Sequence, residues 1–103
     1  MNRLLLSLYL VLFSFSVQAS DIYIFTADWC PACKQLKNFI PKNKEVFEGH
    51  IVTIIDIDRY PQTKNRYKIT SIPTTVALKN GKEMKRTVGF DSSYKNWIKN
   101  LEK

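Results

Sequence analysis

Apolar positions in the first half of the chain predict a strand, a helix and a second strand. Runs of β-branched and aromatic residues at 21–26 and 50–58 predict strands, and the first of them is expected to be buried. Apolar positions at helical spacing follow Pro31, and Pro41 is expected to end or kink that helix because proline disfavours the helical conformation of the residue before it. Two strands joined by a helix should run parallel with a right-handed crossover.

The second half of the chain predicts a short helix and a hairpin. A weak helical pattern spans 59–68, and strands are predicted at 74–78 and 83–88. Asn80-Gly81 lies between these two strands and is the strongest short-range signal for a tight hairpin turn.

A last helix is predicted near the C-terminus. Its apolar face follows the spacing i, i+3, i+4, i+7, at Tyr94, Trp97, Ile98 and Leu101. Asp91 or Ser92 is expected to cap it. The order β-α-β-α-β-β-α predicts an α/β fold in which helices cover a four-stranded mixed sheet.

The first nineteen residues have the pattern of an export signal. Arg3 supplies a positive charge, residues 4–17 are almost wholly apolar, and Val17-Gln18-Ala19 places small residues at a cleavage site. A membrane anchor is the alternative, but about 14 apolar residues fall short of the roughly 20 that a spanning helix needs. We therefore expect residues 1–19 to be removed, and residues 20–103 to form one periplasmic or otherwise exported domain.

The chain carries a basic excess without a basic patch. Sixteen Lys and Arg against nine Asp and Glu give a formal net charge of +7. The lysines are scattered, and basic and aromatic residues are not interleaved as they are in nucleic-acid-binding surfaces, so we expect no nucleic-acid partner. The excess can still steer the domain toward acidic partners or an anionic membrane surface.

Cys30 and Cys33 are the chain's only cysteines, and they lie between a predicted strand and a predicted helix. This spacing and placement are typical of a dithiol/disulfide redox site. A structural disulfide or half of a zinc site are the alternatives. Zinc needs four ligands, and only His50 and carboxylates remain to supply them. A loop this short also contributes little loop-closure stabilisation. We therefore expect redox chemistry with no metal and no cofactor.

The predicted helix assigns the two cysteines different roles. Cys30 lies at the helix N-terminus, where unpaired backbone N–H groups and the helix dipole lower the pKa of a thiol, so it is the predicted nucleophile. Cys33 lies one turn inside and should be less exposed. It is the predicted resolving thiol, which attacks the mixed disulfide between Cys30 and the substrate.

Three ordered segments resemble the thioredoxin superfamily. Residues 27–34 (Ala-Asp-Trp-Cys-Pro-Ala-Cys-Lys) are similar to its active site, and residues 71–75 (Ser-Ile-Pro-Thr-Thr) to its loop with a cis proline. Residues 79–82 (Lys-Asn-Gly-Lys), followed by residues 88–90 (Val-Gly-Phe), are similar to its hairpin turn and to the glycine after its last strand. Their order and spacing fit over residues 21–101.

The resemblance implies a thioredoxin-like fold that is trimmed at the N-terminus, because the family's first strand and helix are absent. It implies that Trp29, Pro31, Ile72 and Pro73 contact the substrate. The backbone of Ile72 would pair with a substrate strand, and Pro73 would be cis and lie beside Cys30. The expected partners are protein thiols and disulfides, and the protein is expected to be a monomer.

The chain departs from the family pattern at two positions. Ile24 stands where thioredoxins carry a buried aspartate, and Ile54 where they carry a lysine on the following strand. The resemblance implies that, in thioredoxins, this aspartate and lysine relay protons to the second cysteine. Without it, we expect disulfide exchange that is less assisted near neutral pH.

The direction of electron flow is the open point of the sequence. The Ala-Asp-Trp-Cys lead-in resembles exported domains linked to membrane thiol-reductant conduits, and no histidine separates the cysteines, as one does in strongly oxidising relatives. We therefore expect a reductant that a membrane donor keeps reduced. The alternatives are a disulfide-forming oxidant, a glutathione-dependent variant, and a non-catalytic thiol metallochaperone for a soft metal such as Cu(I).

Overall fold

The structure is a computed structural model that describes residues 20–101. The predicted signal peptide, residues 1–19, lies outside the described residues. The elements are β1 (Ser20–Thr26), α1 (Pro31–Lys42), a 3-10 helix (Lys44–Phe47), β2 (His50–Asp56), α2 (Pro61–Arg66), β3 (Thr74–Lys79), β4 (Lys82–Val88) and α3 (Tyr94–Lys99). The predicted α/β class and the predicted order of strands and helices are confirmed.

The strands form one mixed sheet in the order β2-β1-β3-β4. Strands β1 and β2 run parallel, and β3 is antiparallel to both β1 and β4. Phe25 near the end of β1 lies opposite Thr74 at the start of β3. The loop that leaves β1 and the loop that enters β3 therefore meet at one end of the sheet.

Successive side chains of β1 point to opposite faces of the sheet and pack into two apolar clusters, one on each face. Ile22 and Ile24 join the larger cluster, which includes Leu36 of α1 and Ile98 of α3. Phe25 joins the smaller one, with Ile69, Val76 and Leu78, and half-buried Tyr23 and Tyr67 pack against it. Helices α1 and α3 thus share one face of the sheet, and the segment after α2 covers part of the other.

Two predicted elements differ from the structure by a few residues at their ends, and side-chain and backbone contacts explain where they stop. The structure ends β2 at Asp56 rather than Asp58, because the Asp56 carboxylate accepts the Asp58 N–H (2.9 Å) and the Asp56 carbonyl accepts the Tyr60 N–H (3.0 Å). Helix α2 starts at Pro61 and ends before Lys68, whose left-handed φ of 54° is incompatible with a helix.

Pro41 lies inside α1, and the helix ends one residue after it, at Lys42. The side-chain amide of Asn43 donates to the Phe39 carbonyl (2.9 Å), and its backbone N–H donates to the Ile40 carbonyl (3.2 Å). These bonds satisfy carbonyls that a helix end leaves without intrahelical partners.

The hairpin turn and the last helix follow the sequence pattern closely. Asn80 and Gly81 have φ of 54° and 78°, as the predicted tight turn requires. The predicted cap is wrong: Ser93, rather than Asp91 or Ser92, is the N-cap of α3 and makes no side-chain capping bond, while the Asp91 carboxylate accepts the Ser93 N–H (2.9 Å). Tyr94 and Ile98 are buried, as their helical spacing predicts. Within residues 20–101, no helix combines the length and apolar character needed to cross a membrane.

Candidate active site

The first wall of the site is residues 29–33, which we call the redox loop. Cys30 is the N-cap of α1, Pro31 takes the first helical position, and a disulfide joins Cys30 to Cys33 with their Cα atoms 5.2 Å apart. The Cys33 N–H donates to the Cys30 sulfur (3.2 Å). Because the first turn of a helix leaves N–H groups without intrahelical partners, the Cys30 sulfur occupies an electropositive position. Cys30 keeps 5% of its surface exposed and Cys33 none, the order that the sequence predicts.

The second wall is residues 71–75, which we call the proline loop. The Ile72-Pro73 peptide bond is cis, and the Ile72 carbonyl oxygen lies 3.9 Å from the Cys30 sulfur. The Pro73 carbonyl accepts the Gly89 N–H (2.7 Å), so the residue that follows β4 fixes the proline loop in place. The topology thus brings Ile72 and Pro73 against Cys30 across more than forty residues of chain.

A buried hydroxyl pair ties the proline loop to α3. The side-chain oxygens of Thr75 and Tyr94 lie 2.9 Å apart. Burial raises the pKa of Tyr94 to about 12, and the hydrogen bond to Thr75 opposes this only in part. The phenol is therefore neutral at physiological pH and remains a hydrogen-bond partner of Thr75. Nearby, the Thr74 hydroxyl donates to the Ser71 carbonyl and closes the loop on itself.

Trp29 stands at the surface beside the cysteines and has a partner that the sequence did not reveal. Its side chain is 67% exposed, and its indole N–H donates to the Asp58 carboxylate (2.9 Å). No motif in the sequence assigns a role to Asp58. Its one sequence signal was its place just beyond a strand that is parallel to β1 and ends at the same sheet end as the redox loop.

A cavity of about 310 Å³ opens between the two walls. Trp29 and Ile72 line it from the two loops, and Ile57, Ile69 and Lys64 complete its sides. The structure therefore brings Trp29 and Ile72 to one concavity, with Pro73 buried beside them and Pro31 exposed next to Cys30. This apolar space can take a side chain that flanks a disulfide.

The two departures from the family pattern are neighbours in space. Ile24 is fully buried and lies opposite Ile54 in the parallel pairing of β1 and β2. An apolar pair therefore occupies the place in which the resemblance puts a carboxylate and an ammonium. Within the described part of the chain, no three His, Cys, Asp or Glu side chains are grouped as metal ligands.

Comparison with known proteins places the chain in a family. A family model described as Thioredoxin matches residues 13–102. The chain belongs to the thioredoxin family. It is 33% identical over 92 residues to a thioredoxin of Rickettsia conorii, in an alignment that covers 84% of this chain and 88% of that protein. It is 35% identical over 66 residues to a thioredoxin of Chlamydia trachomatis, covering 64% of this chain and 65% of the relative, slightly under two thirds of its length.

A solved structure supports the same assignment. The Plasmodium falciparum thioredoxin superposes with a TM-score of 0.74 at 27% identity, covering 82% of this chain and 83% of that one. Membership of the thioredoxin family, together with the Cys30–Cys33 disulfide, supports thiol:disulfide oxidoreductase chemistry. Thioredoxins act on protein thiols and disulfides, which agrees with the substrate class expected from the sequence.

Proposed function

We propose that this thioredoxin-family protein reduces disulfides in exported proteins, with Cys30 as the nucleophile and Cys33 as the resolving thiol. The observation that carries the proposal is the position of the Cys30 sulfur. It caps α1, accepts the Cys33 N–H at 3.2 Å, and lies 3.9 Å from the Ile72 carbonyl. A thiolate at that position is stabilised by the helix terminus and faces the loop that would hold a substrate.

The reaction consists of two exchanges that move two electrons to the substrate. The Cys30 thiolate attacks one substrate sulfur, which forms a mixed disulfide and releases the other substrate sulfur as a thiolate that takes a proton. Cys33 then loses its proton and attacks the Cys30 sulfur. This step releases the second substrate thiol and leaves the Cys30–Cys33 disulfide. Because Ile24 and Ile54 offer no base, water or the departing thiolate accepts the Cys33 proton.

The cavity between the two walls positions the substrate. Trp29 and Ile72 would contact an apolar side chain next to the substrate cysteine, while the Ile72 backbone pairs with the substrate strand. Pro31 and Pro73 border Cys30 on its two sides and shape the surface on which that strand lies. Binding in this way brings the scissile sulfur in line with the Cys30 thiolate, and such positioning accelerates exchange by replacing a free encounter.

The compartment and the electron donor complete the proposal. The apolar segment at residues 4–17 and the small residues before Ser20 support export. In an oxidising compartment a reductant needs a continuous supply of electrons. We therefore assign regeneration to a membrane thiol-reductant donor, whose dithiol passes two electrons to the Cys30–Cys33 disulfide.

Trapping the cysteines by alkylation in the cell, in fractions separated by compartment, tests this proposal. If the protein is a reductant, we expect it to be exported, with a reduced cysteine pair and a reduction potential of about −270 mV, the thioredoxin value. A fully oxidised pair with a potential of about −120 mV would make the protein a disulfide-forming oxidant instead. Recovery of the protein from the cytosol alone would contradict export.

A further inference from the structure

The two edges of the sheet are built differently. Strand β4 carries Lys82, Glu83, Lys85 and Arg86, and a register irregularity interrupts its pairing at Ala77/Leu78. Charged residues and bulges are the devices by which proteins prevent an edge strand from pairing with another chain. Strand β2 forms the other edge, with β1 as its one neighbour among the described residues. It has no lysine, proline or bulge, and its single carboxylate is at its end.

Strand β2 exposes two large apolar side chains on opposite faces of the sheet. Ile51 is 57% exposed and Ile54 46% exposed. Between them, Val52 and Ile55 are half-buried, and each packs against one of the two apolar clusters. The strand therefore exposes apolar side chains to solvent on both faces of the sheet.

The backbone of β2 also points hydrogen-bonding groups outward. The Ile57 N–H donates to the Thr26 carbonyl of β1 (2.9 Å). Because N–H and C=O directions alternate along a strand, odd-numbered residues of β2 face β1 and even-numbered residues face away. Val52 and Ile54 thus present their N–H and C=O groups to whatever lies beyond the edge.

We propose that β2 pairs antiparallel with β2 of a second copy, so that two four-stranded sheets join into one of eight strands. A two-fold axis at Thr53 uses the full strand. It brings the outward groups of Val52 opposite those of Ile54 of the partner subunit, and the symmetric pair repeats the contact. These two pairs form four backbone hydrogen bonds in the antiparallel pattern.

The side chains of β2 are self-complementary in this register. On the face of the smaller cluster, Ile51 lies beside Ile55 of the partner subunit. On the face of the larger cluster, Ile54 lies beside Val52 of the partner subunit. Each exposed isoleucine thereby extends the partner's core. At the strand ends, position 50 lies opposite Asp56 of the partner subunit, so the two carboxylates of the paired strands stay apart and no like charges oppose each other.

The pairing replaces the monomer that was expected from the sequence, and it leaves the site open. The paired segment ends at Asp56, before Asp58, which holds Trp29. The proposal does not depend on the redox function, so its test and that of the redox function fail independently.

Sedimentation of the full chain over a wide concentration range tests the proposal. The expected result is a reversible dimer. Ile54→Lys or Ile51→Lys should raise its dissociation constant by about tenfold or more, because a lysine on an edge strand opposes pairing. Met84→Lys is the matched control, since Met84 is an exposed apolar residue on β4, and it should leave the dimer intact. Both isoleucines are already about half in solvent, so these variants should fold. Ile51→Lys should also keep reductase activity, because Ile51 lies away from the position of the family's proton relay.

Amide hydrogen exchange identifies the surface. The Val52 and Ile54 amides should gain protection as the concentration rises, and lose it in Ile54→Lys. A chain that remains monomeric at millimolar concentration overturns the proposal, as does a dimer that survives Ile54→Lys or is lost equally in Met84→Lys. Protection of these amides that is independent of concentration would show that another segment of the same chain covers β2, and would also overturn it.

Discussion

The two walls of the site contribute in different ways. The redox loop is a local structure in which the reactive sulfurs, the helix cap and the Cys33 N–H donor lie within a few residues of each other. The proline loop carries no reactive group and is held by contacts from elsewhere in the fold, through Gly89 and Tyr94. The chemistry thus resides in a short motif, whereas the positioning of the substrate depends on the folded sheet.

Loss of a sulfur from the redox loop should have the largest effect. We expect Cys30→Ser to lower disulfide reductase turnover at least about a thousandfold, since a hydroxyl cannot replace the thiolate nucleophile. Cys33→Ser should abolish multiple turnover as well, because the mixed disulfide can no longer be resolved. The rate of reduction of a protein disulfide measures both, and circular dichroism checks the fold. Substantial turnover in Cys30→Ser would contradict the assignment of the nucleophile.

A change in the proline loop should impair substrate binding and leave the sulfur chemistry intact. Truncation in Ile72→Ala removes apolar contact from the cavity, so we expect kcat/KM for protein substrates to fall about tenfold. The alkylation rate of reduced Cys30 should not change. Ile51→Ala, an exposed isoleucine far from the site, is the control. Equal losses in both measurements would show that the two walls are not separable.

The contact between Asp58 and Trp29 should have a smaller effect. Asp58→Ala removes the acceptor of the indole N–H, which frees Trp29 to leave the rim of the cavity, and we expect KM to rise roughly threefold with kcat retained. Asp28→Ala is the matched control. The Asp28 carboxylate is also exposed, but it lies 3.8 Å from the Lys37 ammonium, whereas the Trp29 indole binds Asp58. A fall in kcat at constant KM would instead place Asp58 in the chemistry.

The Thr75–Tyr94 pair should affect stability more than catalysis. Loss of its hydrogen bond in Tyr94→Phe should lower the free energy of unfolding by about 1 kcal/mol, and a double-mutant cycle with Thr75→Val isolates the pair. Burial raises the pKa of Tyr94 from 10.0 to about 12, so the neutral phenol stabilises the fold fully below pH 10, and that contribution is lost as the pH rises through about 12. Denaturant unfolding of the wild type and Tyr94→Phe between pH 8 and 11 checks the sign. The difference between their free energies of unfolding should be constant below pH 10 and shrink as the pH rises above it.

Local patterns were sufficient to predict the redox loop and the order of the elements. The cysteine spacing, the proline at the first helical position and the Asn80-Gly81 turn are each encoded within a few residues. The contact between Trp29 and Asp58 could not be predicted in this way, because 29 residues separate them and only the parallel pairing of β1 and β2 brings them together.

The apolar run at residues 50–58 shows the same limit. It predicts a strand, and the strand is present, but the run alone does not show that Ile51 and Ile54 are exposed. Their exposure follows from the place of β2 at the end of the described sheet, which is a property of topology and not of the run itself. Which strand occupies an edge depends on pairing between distant segments.

A single-turnover reaction of each cysteine variant with a reducible protein disulfide tests most directly which sulfur attacks. We expect Cys33→Ser, which keeps Cys30, to form a covalent one-to-one adduct with the substrate rapidly, visible by mass spectrometry and reversed by a thiol reductant. We expect Cys30→Ser, which keeps only buried Cys33, to form almost none in the same time. Comparable adduct formation by Cys30→Ser would show that the sulfur capping α1 is not the attacking group.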